Sequence, residues 1–195
     1  EMCIRDRGHT IHALRRNMNM TYIVMDNQIY GLTKGQTSPS SAKGFVTKST
    51  PKGNIEKNVA PLELALSSGA TFVAQGFSSD IKALTKMIED AIHHDGFSFV
   101  NVFSPCVTYN KVNTYDWFKE HLTSIDDIEG YDNTDKQLAM KTVLDHDSLV
   151  KGIVYQDTTT PSYESQISEL EHEALAKRDI HITEETFNDL TAQFL

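Results

Sequence analysis

Residues 21–36 read TYIVMDNQIYGLTKGQ, and this stretch sets the fold class. Tyr22-Ile23-Val24-Met25 is a short unbroken apolar run, the pattern of a central parallel strand covered on both faces. The run stops at Asp26-Asn27, and Gly31, Thr33, Lys34, Gly35 and Gln36 follow. In open α/β sheets, ligands bind beyond the carboxyl ends of the strands. A carboxylate and an amide placed there, ahead of a glycine-containing loop, suit a hard cation that carries a phosphate. From pattern alone, an ordinary strand exit in which Asp-Asn caps a turn reads equally well.

Outward from this stretch, strand and helix alternate. Residues 10–17 read as the end of a helix, with Ile11, Leu14 and Met18 on one face and Arg15 and Arg16 complementing the dipole of its last turn. The first strand is 21–26. A helix over 61–68 has Pro61 in its first turn, and a short strand covers 71–74. Ser79 caps a helix over 80–94, where Ile81, Leu84, Ile88, Ala91 and Ile92 fall at helical spacing; His93, His94 and Gly96 end it. A third strand spans 98–103. This order predicts an α/β fold, a parallel sheet flanked by helices on both sides. After Asn110 the pattern loosens. A short helix over 115–122, a linker at 125–127 and Gly130, helices over 136–143 and 167–176, and a strand over 152–156 between them make a C-terminal extension from residue 131, with no visible chemistry.

The chain has 195 residues, enough for one domain with a sizeable core and an appended segment. No apolar run approaches the ~20 residues needed to span a bilayer. No secretory leader is visible, so the reading is cytoplasmic. Cys3 and Cys106 cannot build a disulfide framework and suit a reducing compartment. Residues 1–130 hold 13 basic and 14 acidic side chains, and residues 131–195 hold 5 and 13, so most of the net charge of −9 sits in the second segment. There is no basic footprint for nucleic acid. The acidic segment reads as a solvated helical face, with a partner-docking surface as the alternative. Residues 34–57 form a long polar segment carrying five lysines (34, 43, 48, 52 and 57) against Glu56. It reads as a solvated loop or as an active-site loop over an anionic cofactor. Residues 1–7 fit no element; they look like a translated adapter sequence rather than a native start.

DNQIYGLTKGQ resembles the coenzyme loop of the β subunits of 2-oxoacid:ferredoxin oxidoreductases, especially those acting on 2-oxoglutarate. IHALRRN, SPSS and FSPCVTYN extend the likeness from Gly8 to about Asn133. The resemblance implies a partial thiamine-diphosphate-binding fold over 8–130, continuing upstream in the natural chain. Thiamine diphosphate and Mg2+ are the implied cofactors. The Asn27 side chain and Ile29 carbonyl would hold the metal, and Gly31, Leu32 and Thr33 would lie against the diphosphate and thiazolium. The family's third metal ligand, an aspartate in Gly-Asp-Gly, would lie about thirty residues before Asn27 and is not in this chain. The acid that activates the coenzyme is expected on the partner α subunit, so no catalytic acid or base is assigned here.

The implied reaction is oxidative decarboxylation of 2-oxoglutarate to succinyl-CoA, with coenzyme A taking the acyl group and ferredoxin the electrons. Lys34, where pyruvate-type members resemble Thr-Gly-Gly-Gln, would pair with the distal carboxylate of 2-oxoglutarate beside Thr33; a solvent-facing loop lysine is the plain alternative. Cys106 by itself reads as a small buried hydrophobe. Within Ser-Pro-Cys it resembles the last of four thiolates on a [4Fe–4S] cluster, whose other ligands this chain lacks. Pyruvate- or indolepyruvate-type activity, or a non-catalytic α/β partner subunit, are the other readings.

Overall fold

The computed structural model describes residues 4–170, 175–177 and 181–194. They divide into two compact units, the first ending at Tyr163 and the second beginning at Glu164.

The first unit runs α1 (Ile4–Arg16), β1 (Met20–Asp26), α2 (Pro61–Ser68), β2 (Phe72–Phe77), α3 (Ile81–His93), β3 (Phe97–Phe103), α4 (Tyr115–His121), β4 (Thr123–Ser124), α5 (Lys136–Asp145) and β5 (Val150–Gln156). The five strands form one sheet in the order β1-β3-β2-β5-β4. β3 lies between β1 and β2 and is parallel to both, with Val24 opposite Asn101 and Asn101 opposite Gln75. β5 is antiparallel to β2 and parallel to β4, so the sheet is mostly rather than wholly parallel.

Strand periodicity sorts the side chains between two faces. Val24, Val73, Phe97 and Phe99 pack under Leu14 of α1, Leu62 and Leu66 of α2 and Val143 of α5. Phe72, Ala74, Val100 and Val102 pack under Leu84, Met87 and Ala91 of α3. Each large side chain fully buried in this way contributes about 2 kcal/mol. At the carboxyl end of β2 and β3, Phe77 and Phe103 meet Phe118 of α4, with the last two rings stacked at 4.5 Å. No helix among the described residues is long and apolar enough to cross a membrane.

Several expectations are corrected. Among the described residues β1 lies at the end of the sheet order: β3 covers one side, and Met25 is 75% exposed on the face away from α2. α1 begins at Ile4, inside the stretch set aside as a leader. Asp80, not Ser79, caps α3, its carboxylate accepting the Ala83 N–H at 3.3 Å. Ile81 and Ile92 lie outside the buried face of α3, where Met87 is the apolar anchor. Residues 136–156, read as part of an extension, supply α5 to the core and β5 to the sheet.

The second unit contains single 3-10 turns at Glu164–Gln166, Ser168–Leu170 and Leu175–Lys177, and helix α6 (Glu184–Ala192) capped by the Thr183 hydroxyl. The helix expected over 167–176 is not continuous where it is described, and residues 171–174 lie outside the described residues.

Candidate functional site

Beyond Asp26 the chain turns on its own side chains. Asp26 Oδ1 accepts the Gln28 N–H at 2.9 Å, and Asn27 Oδ1 accepts the Ile29 N–H at 3.1 Å, two consecutive Asx turns. Tyr30 and Gln36 then pair as an isolated bridge, the Tyr30 N–H donating to Gln36 O at 2.9 Å and the Gly35 N–H returning to Tyr30 O at 3.0 Å. Inside this hairpin, Lys34 has φ 65°, a left-handed conformation that costs a side-chain-bearing residue about 1–2 kcal/mol.

The following segment folds back onto the turn. Ser40 Oγ donates to Asp26 Oδ1 at 2.7 Å, and Ser41 Oγ donates to Gln28 O at 2.7 Å. Asn54 Nδ2 donates to Ser41 O at 3.1 Å. Thus the segment over 34–57 is pinned by hydroxyl and amide hydrogen bonds, although it contains no helix or strand. Its five lysines are exposed, and none forms an ion pair among the described residues. Asp26 is buried, and that burial raises its pKa above the ordinary value; the Ser40 hydroxyl and Gln28 N–H oppose the shift.

The loop after β3 docks against the hairpin at two glycines. A Cβ on Gly31 would lie 3.3 Å from Cys106 Sγ and 3.9 Å from Asn27 Nδ2. A Cβ on Gly35, whose φ is 89°, would lie 3.3 Å from the Tyr109 ring. Asn110, fully buried, accepts the N–H groups of Val112 and Asn113 on Oδ1 and reaches Asn27 O with Nδ2 at 3.5 Å.

A cavity of about 230 Å3 opens at this end of the sheet. Asn27, Ile29, Gly31, Leu32 and Thr33 all line it, so five of the sequence-derived residues share one wall. Lys34 stands outside that lining, and Cys106 sits behind Gly31 rather than in the cavity. Ser38 and Ser40, quoted in the sequence only within SPSS and given no role there, line it too, as does Asn101. Alternation along β3 could have flagged Asn101 as a polar residue in an apolar strand; nothing local flags the serines.

The donor set limits what can bind. Asn27 and Ile29 offer neutral oxygens, fitting a hard dication that brings its own anionic partner but leaving most of an octahedral shell to other ligands. Among the described residues no group of three or more His, Cys, Asp or Glu side chains could hold a metal. Cys106 is a free, partly buried thiol, and the described residues alone do not fit a cluster that needs four.

Residues 5–102 match the family profile of the thiamine pyrophosphate enzyme C-terminal TPP binding domain, and residues 106–172 match that of the C-terminal region of the pyruvate ferredoxin oxidoreductase β chain. The chain is 41% identical over 170 residues to a 2-oxoacid:ferredoxin oxidoreductase subunit beta from a Sulfolobus species, covering 82% of this chain and 56% of that protein. It is 47% identical over 103 residues to the 2-oxoglutarate oxidoreductase subunit KorB of Mycobacterium tuberculosis, covering 53% and 28%. Among solved structures, 2-oxoglutarate:ferredoxin oxidoreductase from Magnetococcus marinus, with 2-oxoglutarate, coenzyme A and succinyl-CoA bound, superimposes with a TM-score of 0.81 at 34% identity, covering 94% of this chain and 62% of that one. The chain thus spans about half the length of the curated relatives it matches.

Proposed function

The chain belongs to the thiamine pyrophosphate enzymes, among the β subunits of the 2-oxoacid:ferredoxin oxidoreductases, and from that premise we propose that its cavity holds thiamine diphosphate and Mg2+. The Asn27 side chain and the Ile29 carbonyl bind the metal, while Gly31, Leu32 and Thr33 lie against the diphosphate and thiazolium. The observation that carries this reading is the shared wall these five residues form around one cavity beyond β1. The bound coenzyme supplies the electron sink for decarboxylation of a 2-oxoacid. This chain's residues orient it: the Asx turn fixes the Asn27 amide, and Leu32, 95% exposed, is available to cover an apolar ring.

For the whole protein, the proposed reaction is oxidation of 2-oxoglutarate to succinyl-CoA in the cytoplasm, with an α subunit, ferredoxin and coenzyme A as partners. The left-handed Lys34 supports the substrate, because a lysine kept where glycine is unstrained points to a use for its ammonium beside Thr33. Cys106 is proposed as one thiolate of a [4Fe–4S] cluster whose other three cysteines would lie upstream of this sequence.

Calorimetric titration of thiamine diphosphate with Mg2+ tests the central claim. Asn27→Ala should weaken binding at least tenfold, the loss of about 1.4 kcal/mol. Equal binding by wild type and Asn27→Ala would refute the assignment.

A further inference from the structure

The segment over 43–57 carries Lys43, Lys48, Lys52 and Lys57 against Glu56, in a chain whose net charge is −9. All four lysines are exposed, and none has an ion-pair partner among the described residues. The backbone that bears them is held closed. The Gly44 N–H donates to Asn54 O at 2.7 Å, and the Asn54 N–H donates to Phe45 O at 2.9 Å. Gly53, at φ 93°, packs on Gly44 so tightly that a Cβ there would lie 3.0 Å from the Gly44 carbonyl oxygen. Thr37 Oγ1 lies 2.7 Å from Thr47 Oγ1 and 2.6 Å from Thr50 Oγ1, which ties the middle of the loop back to the chain before it. Val46 and Ile55, each next in sequence to the Phe45–Asn54 pair, are 65% and 86% exposed. The loop thus presents two apolar side chains and four cations on a backbone already ordered, which lowers the cost of binding to it.

These features narrow the partner. The positive charge calls for an anionic surface, which the acidic remainder of the chain repels elsewhere. The exposed Val46 and Ile55 favour a protein over a small anion, because a protein interface joins apolar contacts to a charged rim. Lysine is depleted from permanent interfaces, so a lysine-rich face suits a partner that comes and goes. Its place in the fold points to the kind of partner. Ser41 Oγ donates to Gln28 O, and the hairpin that follows Gln28 brings Gly31 against Cys106 Sγ. The lysine surface therefore grows from the same end of the sheet as the thiol proposed for the cluster.

We infer that residues 43–57 form the docking surface for an electron-carrier protein with an acidic face. The lysines steer it, and Val46 and Ile55 seat it. This rests on the proposed reaction, which needs a ferredoxin, and adds the place where the ferredoxin binds.

The test uses the complex assembled with an α subunit and a ferredoxin of net negative charge, with association followed at low and at high salt. The combined variant Lys43→Gln, Lys48→Gln, Lys52→Gln, Lys57→Gln should slow association about tenfold at low salt and flatten its salt dependence, since steering acts on the on-rate. Val46→Ser with Ile55→Ser should instead speed dissociation by about threefold or more. Reduction of a small viologen dye by 2-oxoglutarate should be unchanged in both variants. Association as fast in the lysine variant as in wild type overturns the inference. So does an equal loss of dye and ferredoxin reduction, which assigns the loop to the coenzyme site, or failure of the variant to assemble, which assigns it to the α subunit. If the fourfold variant does not fold, Lys48→Gln with Lys52→Gln is read in the same way, with an effect of about threefold. Absence of dye reduction in the wild type would refute the proposed reaction instead, while the association rates still report on the surface.

Discussion

Gly31 and Cys106, 75 positions apart in the chain, approach so closely that a methyl group on the glycine would lie 3.3 Å from the cysteine sulfur. The hairpin after β1 and the loop after β3 can pack this closely only because one of them lacks a side chain at this point. Gly31→Ala should push the thiol outward and cost about 1–2 kcal/mol through overpacking. In a Cys3→Ser background, the rate at which Cys106 reacts with an aromatic disulfide should change by roughly threefold or more, since access governs thiol exchange. An unchanged rate and an unchanged Tm would show that the loops separate freely.

Lys34 sets stability and specificity in opposition. Lys34→Gly relieves left-handed strain of about 1–2 kcal/mol but frees the unfolded chain by about 0.5–1 kcal/mol, so Tm should stay level or rise slightly. In the complex assembled with an α subunit, the same change should lower kcat/KM for 2-oxoglutarate relative to pyruvate by about tenfold or more, through loss of a charge-assisted contact. A ratio that does not move would assign Lys34 to solvent.

At the opposite end of the sheet, Asn17 Oδ1 accepts from the Thr71 hydroxyl at 2.7 Å and from the Phe97 N–H at 2.8 Å, and Asn17 Nδ2 donates to Pro161 O at 3.1 Å. Asn17→Ala should cost about 2–3 kcal/mol by leaving buried groups unpaired. Gly96→Ala should be at least as damaging, because Gly96 has φ 138° and its new methyl would meet Asn17 Oδ1 at 2.6 Å. Urea denaturation of both variants checks the ranking.

His94 gives the first unit a dependence on pH. It is buried, its Nε2 lies 2.7 Å from Thr71 Oγ1, and burial lowers its pKa below the ordinary value of 6.5, with Asp95 and Asp157 opposing that shift. The unfolded chain then takes up a proton at a higher pH than the folded one. Stability is complete above about 6.5 and falls as pH drops from there toward the folded pKa. His94→Gln keeps a donor toward Thr71 and should flatten Tm between roughly pH 7 and 5. If wild type and His94→Gln lose Tm in parallel on acidification, His94 is not the group responsible.

Acid and base placement aside, much was legible in the chain itself. Helix 61–68 and the strands at 21–26 and 98–103 are found within a residue of their predicted bounds. Apolar periodicity and a proline in the first turn are local signals that need no partner. The turn residues Asn27 through Thr33 were also readable, because Asx and glycine chemistry acts over two or three positions. The β5 strand was seen, but its antiparallel direction was not: strand direction belongs to the connection and the packing, and no side-chain pattern along 150–156 records it.

What composition and order along the chain settled is the alternation of helices with mostly parallel strands, and a polar turn at the carboxyl end of β1. Three-dimensional packing settled the rest. It set β1 beside β3, brought Cys106 against Gly31, folded Ser40 onto Asp26, and joined the Asn101 and Gln75 amides. Each of these joins positions 14 to 77 residues apart. The chain's own short-range preferences cannot encode such meetings, which arise when distant segments pack together and buried donors and acceptors must find partners.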